Sequence, residues 1–136
     1  MIRPINKDIL SLGRKSLPAD KNDADVIADL KDTLLAHKEE CVGMAANMIG
    51  IHKCIIIVNI GISNMVMINP KIMRAFKPYN TEEGCLSLNG SRPTKRFGEI
   101  EVSYQNESFE SCKKRFSGFT AQIIQHEIDH CSGVII

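Results

Sequence analysis

The run His126-Glu127-Ile128-Asp129-His130 constrains this chain more than any other part of it. Two imidazoles four positions apart share a face, about 5–6 Å from one another, only on a helix, where both can reach one cation. The carboxylate beside the first histidine then stands where it can take a proton from water held by that cation. Such a centre needs a third protein ligand and one open position. Only six residues follow His130, and Cys131 is the sole metal-capable side chain among them. Its adjacency to His130 turns it about 100° round the helix. The third ligand therefore comes from upstream, so the rest of the chain must fold back over this helix.

The upstream candidates are His37, Cys41, His52, Cys54, Cys85 and Cys112, together with Glu82 and Glu83. Cys85 is favoured. Gly84 lets the backbone beside it approach another element closely, and a thiolate suits a borderline-soft divalent metal. The five cysteines are odd in number and contain no Cys-x-x-Cys pair. A disulfide framework is thus the weaker reading, and some of the thiols serve as small buried hydrophobes.

At 136 residues the chain has the length of one domain, expected to span 1–136. A formal charge of +1 excludes the strong basic excess of a dedicated nucleic-acid binder. The longest aliphatic stretch, Cys54 to Val58, falls far short of the roughly 20 residues of a membrane helix. Arg3, Pro4, Lys7 and Asp8 interrupt the first residues, leaving no apolar secretory segment, and a cytoplasmic location is the expectation.

Apolar residues at helical spacing predict a helix over 23–37, capped by Asn22 or Asp23, and a second over 119–131. Residues 41–50 carry small side chains and Gly43, the pattern of a close-approach loop. The β-branched run 54–60 predicts a strand buried on both faces, hairpin-paired with 64–69. Alternation over 100–104 predicts a strand with one wet face. Strands in the middle with helices near both ends make an α+β fold.

Three segments in this order resemble the peptide deformylase family. Cys41-Val42-Gly43-Met44-Ala45-Ala46-Asn47-Met48 is similar to its Gly-x-Gly-Leu-Ala-Ala-x-Gln loop. Glu83-Gly84-Cys85-Leu86-Ser87 and Gln125-His126-Glu127-Ile128-Asp129-His130 match its other two motifs in full. The resemblance implies mainly antiparallel sheets around a central helix carrying the His-Glu-x-x-His motif. It implies one divalent metal ion on Cys85, His126 and His130, characteristically ferrous iron, with zinc, nickel or cobalt as substitutes. Glu127 would be the general base, and the Leu86 N–H would donate to the developing oxyanion.

The implied reaction removes the formyl group from N-formyl-methionyl nascent peptides, releasing formate. No membrane or direct nucleic-acid reading is implied, and the ribosome surface is a further partner. Val42, Gly43, Phe119 and Ile123 match substrate-binding positions, as does Gln122, which is more polar than the usual occupant. Arg92 matches a substrate-facing Arg, and Arg96 one that pairs with the acidic residue of the third motif, here Asp129. Met48 stands where the family has a Gln whose amide supplies a second oxyanion donor. A thioether cannot donate, and losing such a donor typically costs about 100- to 1,000-fold in turnover. The resemblance therefore carries a second implication, a metal-binding homologue with weak or lost activity.

Overall fold

In chain order the elements are α1 (Ile9–Leu12), α2 (Ala24–Ala36), β1 (Gly43–Ala45), β2 (Ile55–Asn59), β3 (Asn64–Cys85), β4 (Leu88–Gln105), β5 (Ser111–Ser117) and α3 (Gly118–Cys131). The structure is a computed structural model that describes residues 1–134. The last two positions of the tail beyond His130, 135 and 136, lie outside the described residues. The strands form one antiparallel sheet in sequential order, β1-β2-β3-β4-β5.

β2 decides how the layers stack. Ile55, Ile56, Ile57 and Val58 are all fully buried. Because successive strand side chains point to opposite faces, Ile55 and Ile57 join Leu30 and Leu34 of α2 in one cluster. Ile56 and Val58 join Ala121, Ile123 and Ile124 of α3 in another. The sheet is thus held between two helices, with each of the Ile, Leu and Val side chains contributing about 1.5–3 kcal/mol by burial. The expected hairpin is present, its register running from Ile55↔Ile68 to Asn59↔Asn64. On β4, Ile100 and Val102 are buried and Tyr104 nearly so, while Glu101 and Ser103 are half-exposed.

Three expectations are refined. Neither Asn22 nor Asp23 caps α2 through its side chain. Asp20 instead caps a 3-10 turn over Lys21–Asp23, and Asp23 accepts from the Asp20 amide at 2.9 Å. The segment 41–50 is not wholly loop, since it contains β1 and a 3-10 turn, Ala46–Ile49, closed by Gly50 at φ +83°. Finally, the strands starting at Asn64 and ending near Tyr104 belong to a much longer hairpin, β3 with β4, and one sheet replaces several. Register shifts between Ile68 and Lys71 and between Ile72 and Arg74 bend that hairpin without breaking it. β5, which no alternation announces, is recruited along β4 from Glu99↔Ser117 to Gln105↔Ser111. No helix among the described residues is long and apolar enough to cross a membrane.

Candidate metal centre

α3 carries His126, Glu127 and His130, which are 7%, 4% and 0% exposed. The helix is pinned by Ala121, Ile123 and Ile124 in the core, so its polar side chains are buried by position rather than by their own preference. One helical turn brings His126 Nε2 and His130 Nε2 to 3.2 Å. Cys85 ends β3, and its Sγ accepts from the Ser87 amide at 3.4 Å across the turn into β4. Ligand atoms of Cys85, His126 and His130 all lie within 4.8 Å of one another.

The donor set fits a divalent metal. Two nitrogens bound at about 2.1 Å in tetrahedral geometry stand roughly 3.4 Å apart, close to the separation of the two imidazoles. One sulfur and two imidazoles suit iron, zinc, nickel or cobalt rather than magnesium or calcium. Glu127 Oε1 is buried without a hydrogen-bond partner among the described residues, as expected of a carboxylate meant for water or a cation. Burial pushes its carboxyl up to about 7, the range a general base needs near neutral pH.

Glu83 was an upstream candidate for the third ligand, but the structure gives it another place. Its Oε1 accepts from His126 Nδ1 at 2.8 Å and from Arg96 Nη2 at 2.7 Å, and Oε2 accepts from Gln122 Nε2 at 2.9 Å. A carboxylate only accepts, so one His126 proton sits on Nδ1, and Nε2 is the nitrogen that faces Cys85 and His130, able to ligate once its own proton is lost. The signal was present in the sequence, because Glu83 and Cys85 are two apart on a strand and share a face.

Burial alone would raise the Glu83 carboxyl, but bonds from His126, Arg96 and Gln122 outweigh it and hold the group at about 2. Burial likewise opposes charge on His126, yet bonds to Cys85 and Glu83 raise it to about 10. Burial and then the neighbouring His126 lower His130 to about 3. At neutral pH His126 is thus held as the imidazolium and His130 as the neutral ring. Arg96, 4% exposed, also reaches Asp129 Oδ2 through Nη1 at 2.6 Å, the pairing expected for it.

A cleft of about 270 Å³ opens above the centre, lined by Val42, Gly43, Met48, Leu86, Phe119, Gln122, Ile123 and Glu127, with Cys41, Cys85 and His126 at its walls. Gly43 is indispensable to it: a Cβ there would lie 2.6 Å from Ile123 Cγ2 and 2.9 Å from Glu127 Oε2. Leu86 sits in the turn between β3 and β4. Met48 faces the cleft, its Sδ accepting from the Ala45 amide at 3.4 Å. Asn47 turns the other way and donates to the His130 carbonyl at 2.8 Å. Arg92 is not among the cleft-lining residues and donates to the Asn89 carbonyl at 2.9 Å.

None of the remaining upstream candidates joins the three ligand atoms, although Cys41 and Glu82 line the cleft. His52 bonds Ser11, His37 lies near Glu40, and Cys112 donates to the Glu110 carbonyl. Cys41 donates to the Gly43 carbonyl at 2.8 Å, and burial pushes its thiol up to about 11. Cys54 donates to the Ser16 carbonyl at 3.7 Å, and Cys131 is buried in the core cluster that Cys54 packs against.

A Cys-His-His group, its imidazoles buried and its thiol half-buried, with a carboxylate beside it at the floor of a cleft, defines the metallohydrolase class. Comparison narrows the class. A family model described as polypeptide deformylase matches residues 1–136. A peptide deformylase of Clostridium beijerinckii is 58% identical over 136 residues, the whole of both chains. The crystal structure of peptide deformylase from Thermotoga maritima superposes with a TM-score of 0.88 at 29% identity, over 99% of this chain and 95% of that one. A class I type b peptide deformylase from Acinetobacter baumannii, bound to Met-Ala-Ser, gives 0.87 at 28% identity, over 99% and 97%. The chain belongs to the peptide deformylase family.

Proposed function

We propose that this chain, acting as one domain over 1–136, hydrolyses the formyl amide at the initiator methionine of nascent bacterial polypeptides and releases formate. The observation that carries the reading is the convergence of Cys85, His126 and His130 beside Glu127 at the floor of a narrow cleft. Cys85, His126 and His130 would hold one divalent ion, ferrous iron by preference, with zinc, nickel or cobalt able to replace it. When bound, that ion supplies Lewis-acid polarisation of the formyl carbonyl and acidifies water.

Glu127 takes the proton of the attacking water and returns it to the leaving amine, roles suited to its raised pKa. The Leu86 N–H donates to the oxyanion that develops on the formyl oxygen. Val42, Phe119 and Ile123 wall the methionine side chain, and the Gly43 backbone pairs with the extended substrate as an added strand. The Met-Ala-Ser peptide held by the Acinetobacter baumannii relative supports a substrate of this shape. Arg92 reaches downstream substrate residues only by leaving Asn89. The site of action is the cytoplasm, with the ribosome surface as the place where the nascent chain is met.

Formate release from formyl-Met peptides by anaerobically purified, iron-loaded protein tests the reading. Release no greater than that of a Glu127→Ala control would overturn it.

A further inference from the structure

A chain of directional hydrogen bonds leads from Tyr79 on β3 to a metal-facing imidazole, and its outer half is made by residues outside the three motifs. The Tyr79 hydroxyl donates to Gln122 Oε1 at 3.2 Å. Gln122 Nε2 donates to Glu83 Oε2 at 2.9 Å, and Glu83 Oε1 accepts from His126 Nδ1 at 2.8 Å. The register behind this is simple. Tyr79 and Glu83 are four apart on β3 and share a face, while Gln122 and His126 are four apart on α3 and share a face. The two pairs meet across the strand–helix interface.

Only an amide satisfies both ends. The carboxylate can accept but not donate, so Nε2 must face Glu83, and the carbonyl oxygen is left for the Tyr79 hydroxyl. The last torsion of a glutamate is soft and broad, so the plane of the Glu83 carboxylate is set by its partners. Arg96 Nε is shared between both oxygens, at 3.1 and 3.0 Å, and Nη2 grips Oε1. Oε2 would be held by that shared contact alone if Gln122 were apolar. Gln122 also lines the cleft, so it touches both the substrate pocket and the support of the metal ligand.

We propose that Gln122, oriented by Tyr79, is a positioning residue for His126, acting through Glu83. This rests on the metal-centre reading above. Partners that directly orient a metal-bound histidine are typically worth 10- to 100-fold in metal affinity; Gln122, one bond further out, is expected to be worth about 3- to 10-fold.

The test titrates apo protein with Co²⁺ against a competing chelator while recording the cobalt absorption spectrum. Gln122→Met keeps the side-chain length without a donor, and Tyr79→Phe removes only the hydroxyl. The expected result is a loss of affinity of threefold or more in Gln122→Met, with a shifted cobalt band. Tyr79→Phe should fall between it and wild type, and the double variant should bind no more weakly than Gln122→Met, because the two act in series. Smaller losses, or losses that multiply in the double variant, overturn the proposal. Should Gln122→Met not fold, Tyr79→Phe alone decides: a weaker affinity with a shifted band supports the role, and an unchanged one overturns it. Wild-type protein that fails to bind Co²⁺ overturns the metal-centre reading itself, whereas binding that neither variant alters overturns only the positioning role.

Discussion

Gly43→Ala places a methyl 2.6 Å from Ile123 Cγ2 and 2.9 Å from Glu127 Oε2. Carbon–carbon contacts settle at about 3.5–4.0 Å, so the nearer approach is short by about 1 Å. Ile123 cannot swing aside cheaply, since a β-branched residue on a helix has one strongly preferred rotamer and this one is 6% exposed. Either β1 retreats or α3 moves outward. Overpacking of this kind costs about 1–3 kcal/mol, and shifting a reacting group by about 1 Å costs on the order of 100-fold in rate.

Formate release, metal content and thermal midpoint should be measured together on Gly43→Ala. Turnover is expected to fall about 100-fold while metal content holds, because Cys85, His126 and His130 are not among the atoms nearest the new methyl. Adding Ile123→Ala removes the closer clash, so it should restore part of the stability but little of the activity. Activity within threefold of wild type would refute the reasoning, as would a loss of metal that matches the loss of activity.

Three further outcomes follow from the same geometry. Arg96→Met takes the guanidinium from the buried Glu83 carboxylate, and the denaturation midpoint should report a loss of about 3–5 kcal/mol; a change under 1 kcal/mol would show that His126 and Gln122 suffice to hold it. Met48→Gln should raise kcat by about 100-fold with metal content unchanged, and an unaltered kcat would mean that another donor serves the oxyanion. Because His126 holds a proton with its pKa raised to about 10 while His130 is already neutral, a divalent ion must displace that proton. Apparent metal affinity should therefore climb by about tenfold per pH unit between pH 7 and 8, with measurable acid release on loading; a flat profile would contradict the Glu83–His126 arrangement.

Much of this site was legible in the chain itself. The spacing of His126 and His130 predicts their shared face, and α3 presents it. The β-branched run predicts the doubly buried strand that became β2. The hairpin beyond Asn69 was not legible, because residues 70–97 are rich in charged, proline and glycine positions and show no clean alternation. They are strands because each pairs with the other, a long-range fact that local pattern does not encode. β5 escaped for the same reason, with Lys113, Lys114 and Arg115 in its centre.

The sequence alone determined which side chains can hold a cation and which helix presents two of them, since both follow from residue type and helical period. Only the tertiary structure decided that Cys85 meets them, that Glu83 orients a ring instead of ligating, and that Asn47 turns away while Met48 faces the cleft. Those outcomes depend on how β3 and β1 pack against α3. Packing brings together residues dozens of positions apart, and no local spacing carries that information.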